Sequence, residues 1–375
     1  MELEIFRNLV KKNKSKIVLL VLDGLGGLPM SKNGTTELET ASTPNLDDLT
    51  AEGICGLHQP IGPGITPGSG PAHLSLFGYN PIKYQVGRGV LAALGINFDL
   101  QPEDVAARGN FCTIDKDGRV TDRRAGRISS DKNRELCEQL QKIKLSGADV
   151  FVKTVKEHRF LLVLRGHDLK GDLEDTDPQE VGKKPLPPEG LSRESEQTVL
   201  QVTEFVEQAR EILKDHHPAN MLLLRGFSKK PDWQSMNDVF GIKTAAIAAY
   251  PMYRGVSKLI GMDILETGDS VEDEIQTMRD HWDEYDFFYV HIKKTDSAGE
   301  DGDFDRKVSL IEKVDEKIPE IRGLKPDVVV VTGDHSTPSR MKYHSWHPVP
   351  ALIWSESCRQ DAVKKFGEKD CIQGA

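Results

Sequence analysis

Five short runs of apolar residues stand out along the chain: IVLLVL (17–22), MLLL (221–224), TAAIAA (244–249), FFYVHI (287–292) and VVVV (328–331). Continuous apolar runs of this length, without polar alternation, predict strands buried on both faces of a parallel sheet. Stretches with helical spacing separate them, around 43–53, 193–214, 271–282 and 304–318. Alternating strand and helix predicts a doubly wound, mostly parallel α/β sheet.

From 106 to 185 the pattern changes. "FCTIDKDGRVTD" places Asp117-Gly118 between two extended halves, which predicts a hairpin. A helical stretch, DKNRELCEQLQKI, follows, then DVFVKTV and RFLLVLRG. This segment is expected to be a smaller α+β unit inserted into the sheet domain. The core is expected to comprise 1–105 and 186–375, with "DLEDTDPQEVGKKPLPPEG" returning the chain to it.

The net charge of -10 argues against a nucleic acid or an anionic membrane surface as partner, since either selects a basic face. The only apolar run near the N-terminus, IVLLVL, is too short to span a membrane. Five scattered cysteines without a CxxC pair are expected to be reduced thiols of a cytoplasmic protein. Self-association is left open.

Three apolar runs end in aspartate: Asp23 after the first, Asp296 shortly after the fourth, and Asp334, followed by His335, after the last. Ligands of open parallel sheets bind beyond the carboxyl ends of the strands, so residues far apart in sequence converge there. With His344, the set mixes carboxylate and imidazole donors suited to Mn²⁺, Mg²⁺ or Zn²⁺. A single strand-end aspartate is more often a turn cap than a ligand; with three of them and an Asp-His pair in one chain, both readings stand on pattern alone. Ser69 lies in "GPGITPGSGPAHLSLFGYNP", where close-approaching backbone would suit an anion; a nearby metal would make its hydroxyl a nucleophile. Otherwise the stretch is a surface turn. "DGLGGLP" fails as a dinucleotide fingerprint because Pro29 takes the third glycine position, and no GxxxxGK[ST] loop exists. Arg123, Arg124, Arg127, His158, Arg159, Arg165, Arg225, Arg254 and Lys258 lie in short, mostly Gly-flanked contexts that fit a small polyanion.

The blocks "VLDGLGGLP", "ETASTPNLDDLTAEGICG", "PGSGPAHLSLFGYNP", "DRRAGRI", "HIKKTDSAGEDGDFDRKV" and "VVVTGDHSTP…HSWHPVP" resemble, in order and over nearly the whole chain, the archaeal-type cofactor-independent phosphoglycerate mutases of the alkaline phosphatase superfamily. The resemblance implies an alkaline-phosphatase-like sheet with an inserted lid, and interconversion of 2- and 3-phosphoglycerate through phosphorylated Ser69. It implies two divalent ions, one held by Asp23, Ser69, Asp334 and His335, the other by Asp296, Glu300 and His344, with His347 outside. Many relatives carry histidine where Glu300 stands, so a harder site is expected, favouring Mn²⁺ or Mg²⁺ over Zn²⁺. The family usually continues beyond "CIQGA", so a shortened C-terminus is expected. A phosphomonoester hydrolase on the same scaffold, or a silent relative that only binds a phosphorylated ligand, are the competing readings.

Overall fold

The structure is a computed structural model that describes residues 3–375. Among these residues the twelve strands are β1 (Ile17–Leu22), β2 (Ile54–His58), β3 (Val105–Ile114), β4 (Val120–Asp122), β5 (Asp149–Lys156), β6 (Arg159–Arg165), β7 (Met221–Ser228), β8 (Thr244–Ala248), β9 (Asp263–Leu265), β10 (Phe287–Ile292), β11 (Val328–Thr332) and β12 (Val349–Trp354). The chain divides into two compact units. One comprises residues up to Gln85 together with Gln234–Ala375, the other Val86–Trp233.

In the first unit seven strands run in the order β2-β12-β11-β1-β10-β8-β9. The expected parallel core is there: β11, β1, β10 and β8 are neighbours, all parallel. Antiparallel β12 extends it beyond β11, and β2 pairs antiparallel with β12 in turn. Alternation along each strand sorts the side chains to two faces. Val18, Leu20, Leu22, Phe288, Val290 and Ile292 join one buried core with Leu46 and Leu49 of the helix Pro44–Glu52, and with Ile275, Met278, Ile311 and Val314 of later helices. On the opposite face His291 stacks on Tyr253, ring centroids 3.7 Å apart, and Tyr289 meets the His73 ring edge-on. That second packing brings the helices Ser69–Leu76 and Pro251–Leu259 over the sheet.

The second unit differs from expectation in two respects. Its bounds are 86 and 233 rather than 106 and 185. The run 221–224, expected in the parallel core, lies in β7, which pairs antiparallel with β3. Apolarity establishes that a strand is buried but not which sheet buries it. The helix Glu196–Leu213 stays with this unit because Val202, Phe205, Ala209 and Leu213 pack on its core beside Phe111, Phe160, Leu162 and Leu222. The segment 172–190 stays too: Thr176 N–H donates to Leu224 O at 2.9 Å and Leu224 N–H to Thr176 Oγ1 at 2.8 Å. The hairpin expected at Asp117-Gly118 forms, with Gly118 at φ +76°. No helix among the described residues is long and apolar enough to cross a membrane.

Candidate metal and phosphoryl-transfer site

Because β11, β1 and β10 are adjacent and parallel, their carboxyl ends deliver Asp334, Asp23 and Asp296 to one sheet edge. Asp296 sits in the first turn of the helix Lys294–Asp301. All three carboxylates and His335 are buried, and His344 is partly so. Ligand-type atoms gather in two groups, Asp23 with Asp334 and His335, and Asp296 with His335 and His344; within each they lie within 4.8 Å of one another. His335 belongs to both. Its Nε2 is 3.4 Å from Asp23 Oδ1 and 3.2 Å from Asp334 Oδ2, while His344 Nε2 is 3.7 Å from Asp296 Oδ1.

The tautomers follow from the partners. His344 Nδ1 lies 3.0 Å from Pro67 O, an acceptor only, so Nδ1 carries the proton. Thr337 Oγ1 donates to Asp296 Oδ1 at 2.6 Å, so it accepts from His335 Nδ1 at 3.0 Å. Both imidazoles therefore turn bare Nε2 lone pairs toward carboxylate oxygens. Asp23 Oδ1 and Asp334 Oδ2 are buried without a hydrogen-bond donor. Lone pairs facing lone pairs in a buried site call for a cation, and an Nδ1–H anchored by an acceptor with Nε2 left free is how metal-ligating histidines are held. These residues fit divalent metal.

Charge is already arranged around that need. Lys293 Nζ bridges Asp23, at 3.1 Å, and Asp296. Burial alone would raise the Asp23 carboxyl, but Lys293, then His291 and His335, hold it well below the usual carboxylate range. Burial and the Asp23 charge push Asp334 well above that range. Two carboxylates that close in a low-dielectric site cannot both ionise unless positive charge joins them.

Ser69 opens the helix Ser69–Leu76, preceded by Gly68, with Pro71 in the first turn where its missing N–H is harmless. Its Oγ is 3.4 Å from His335 Nε2. One turn on, buried His73 donates from Nδ1 to Ser69 O at 2.8 Å, and burial pushes its pKa down to about 3, so the ring stays neutral. A hydroxyl at a helix N-terminus, where backbone N–H groups are unpaired, is well placed beside an anion.

Asp23, Ser69, Asp296, Asp334, His335 and His344 thus come together. Glu300 does not: it is exposed on its helix and adds no atom to either group. Of the nine residues considered for a polyanion, Arg254 and Lys258 belong to the first unit; Arg254 pairs with Glu266, and Lys258 is exposed on its helix. In the second unit Arg165 forms a two-pronged pair with buried Asp104, at 2.7 and 2.8 Å. Asp177 receives Arg123 at 3.0 and 2.6 Å and Arg225 at 3.4 Å. Arg124 and Arg127 are exposed, on a turn whose residues Ala125, Gly126 and Arg127 all have positive φ. His158 is buried, and burial followed by the charges of Arg159, Arg124, Arg108 and Arg127 pushes it down to about 3. Arg108 pairs in register with Arg225, and the Arg88 guanidinium is held below its usual value by burial and by Arg225. Clustered guanidinium groups of this kind suit an anionic ligand. Sequence reading missed Arg88, Arg108, Lys293, Tyr253, His291, His73 and Thr337. Only Lys293 carried a signal, a lysine three residues before a strand-end aspartate.

Fold and site together define an α/β enzyme with a carboxylate–imidazole cluster suited to divalent metal beside a serine that opens a helix. The family model for 2,3-bisphosphoglycerate-independent phosphoglycerate mutase matches residues 50–220. Proteins described as probable 2,3-bisphosphoglycerate-independent phosphoglycerate mutases are 50% identical in Aquifex aeolicus, over 99% of this chain and 94% of the relative, and 47% identical in Thermus thermophilus, over 99% and 93%. The solved cofactor-independent phosphoglycerate mutase of Thermoplasma acidophilum is 32% identical, with a TM-score of 0.69 over 96% of this chain and 95% of that one. A solved Pyrococcus horikoshii protein, 30% identical, superimposes with a TM-score of 0.82 over 97% and 93%. The chain belongs to the 2,3-bisphosphoglycerate-independent phosphoglycerate mutase family, a family of isomerases.

Proposed function

We propose that the chain interconverts 2-phosphoglycerate and 3-phosphoglycerate, with Ser69 taking the phosphoryl group and returning it to the other hydroxyl of the retained glycerate. Family membership supports the reaction. The observation that carries the residue-level reading is Ser69 Oγ at 3.4 Å from His335 Nε2, on the residue common to both ligand groups.

Asp23, Asp334 and His335, with Ser69 at the rim, would hold one divalent ion, and Asp296, His344 and His335 the surroundings of a second. Three carboxylates to two imidazoles suit Mn²⁺ or Mg²⁺ ahead of Zn²⁺. When bound, such ions lower the serine hydroxyl pKa and neutralise phosphoryl oxygens. The chain's own groups do the rest. The helix N-terminus directs N–H groups at the developing charge, and neutral His73 fixes the Ser69 backbone. The Lys293 ammonium stands ready as a further positive partner for a phosphoryl oxygen. Attack forms the Ser69 O–P bond as the glycerate C–O–P linkage breaks at phosphorus; the departing alkoxide gains a proton and the alternate hydroxyl loses one on return. The arginine cluster around His158 in the second unit is our candidate for gripping the substrate's anionic groups. The chain's five cysteines, none in a disulfide, suit a reducing cytoplasm.

The test supplies 3-phosphoglycerate and Mn²⁺, couples product to enolase, and compares the parent with Ser69→Ala and with a chelated sample. Both treatments are expected to abolish turnover. Turnover undiminished by either overturns the mechanism, and stoichiometric release of free phosphate would make the enzyme a hydrolase.

A further inference from the structure

The helix Phe304–Asp315 sends Lys307 into the interior, where its side chain is fully buried. All three protons of its ammonium are used, on Gly24 O at 2.8 Å, Gly26 O at 3.2 Å and Thr337 O at 3.0 Å. The nearest carboxylate, Glu37, keeps Oε1 at 3.9 Å and accepts the Ser339 N–H with that same oxygen at 2.7 Å. A buried ammonium bound mainly to neutral carbonyls is a poor device for stability, because desolvation outweighs what such contacts return. Its partners show what it does instead. Gly24 and Gly26 belong to the loop that begins at Asp23, and Thr337 lies two residues beyond His335.

Thr337 completes the tie. Its N–H donates to Gly26 O at 3.0 Å and to Gly24 O at 3.2 Å. Its hydroxyl donates to Asp296 Oδ1 and accepts from His335 Nδ1. One buried ammonium and one threonine thus connect the segments that carry Asp23, Asp296 and His335. We infer that Lys307, acting through Thr337, is a positioning residue that sets the spacing of both ligand groups ahead of metal binding. This rests on the two-ion reading given above.

Isothermal titration of the metal-free chain with Mn²⁺ reads affinity and stoichiometry without turnover. The parent is expected to bind two ions. Lys307→Met, of similar length but without donors, is expected to lose roughly 10–100-fold in affinity, the usual effect of removing an outer partner of a metal site. Because that change also strands Glu37, Lys307→Met/Glu37→Gln is measured beside it: the thermal midpoint recovers, the affinity does not. Recovery of both in the double variant reduces Lys307 to a core filler and overturns the inference. Should Lys307→Met fail to fold, Thr337→Val and Thr337→Ser decide. Valine is expected to lose affinity by a similar factor and serine to keep it; parent-like affinity in both overturns the proposal. A parent that binds no Mn²⁺ takes down the two-ion reading and this inference with it, whereas a parent binding two ions and an unchanged Lys307→Met sinks this inference alone.

Discussion

The rings of His335 and His344 stack with centroids 3.7 Å apart and planes 25° from parallel, each with Nδ1 tied back and Nε2 bare. The stack sets the two ligand groups side by side, with His335 common to both.

Metal content should follow that sharing. His344→Ala leaves Asp23, Asp334 and His335 intact, so it is expected to retain about one Mn²⁺ per chain where the parent is expected to retain two. His335→Ala strips an atom from both groups and is expected to retain neither after dialysis. Turnover should fall more than about a hundredfold in each, beyond the loss typical of an outer partner. Metal analysis of dialysed protein checks the first statement and the enolase-coupled rate the second. Two ions retained by His335→Ala would mean that the groups do not share it.

The arginines divide by what already holds them. Arg124 and Arg127 are exposed, so Arg124→Ala and Arg127→Ala are expected to leave the thermal midpoint unmoved. As candidates for gripping substrate, each is expected to lower kcat/KM by roughly ten- to a hundredfold, the worth of one charged hydrogen bond. Arg165→Ala should behave the other way, since it strands buried Asp104. It is expected to destabilise by about 2–3 kcal/mol, discounted because the Arg165 side chain is 30% exposed, with kcat/KM little changed. Steady-state kinetics beside thermal melts separate the cases, and a kinetic defect in Arg165→Ala without a stability loss would invert the assignment.

Residues at the ends of continuous apolar runs were legible in the sequence because a strand's length and direction fix where its terminus lies. Hence Asp23, Asp334 and His335 could be grouped across the length of the chain. Strand β12 stayed hidden because Pro348 and Pro350 break its pattern, and β2 because Gly56 interrupts a short run. The helix that presents Ser69 reads as loop, since Gly68, Gly70 and Pro71 are poor helix formers everywhere except at a first turn. Tyr253 and His73 reach the site only through helix packing on the sheet, which no local spacing reports. Glu300 shows the converse: its place in a motif is clear, and the helix leaves it exposed.

Two glycines of the second unit should respond differently to one methyl group. A Cβ on Gly89 would stand 2.2 Å from Ala106 O, because the helix Arg88–Gly95 lies directly on β3. Gly89→Ala must push helix from strand and is expected to cost at least about 1–3 kcal/mol. A Cβ on Gly118 meets nothing within 4 Å, and only its φ of +76° resists. Gly118→Ala is therefore expected to cost about 1–2 kcal/mol through strain alone. Urea unfolding measures both; equal midpoints for Gly89→Ala and the parent would show that the helix does not approach β3 so closely.

Stability should also decline toward alkaline pH because of one carboxyl that belongs to neither ligand group. Glu274, on the helix Val271–Asp280, is buried, and that burial, with Asp269, Asp273 and Glu272 nearby, pushes its pKa up to about 9 against Lys294. An unfolded chain releases this proton near pH 4.5. Between those values the native state binds one proton more than the unfolded state, so stability falls as pH rises, by at most about 1.4 kcal/mol per pH unit from this group. Below the window both states are protonated and above it both are charged, and the slope vanishes. Glu274→Gln carries the neutral shape throughout and removes the slope. Urea unfolding at about pH 5.5 and about pH 8, both inside the window, should show the variant gaining about 1–3 kcal/mol on the parent at the higher pH. A parent that instead gains on the variant would mean the carboxylate is charged and paired in the native state.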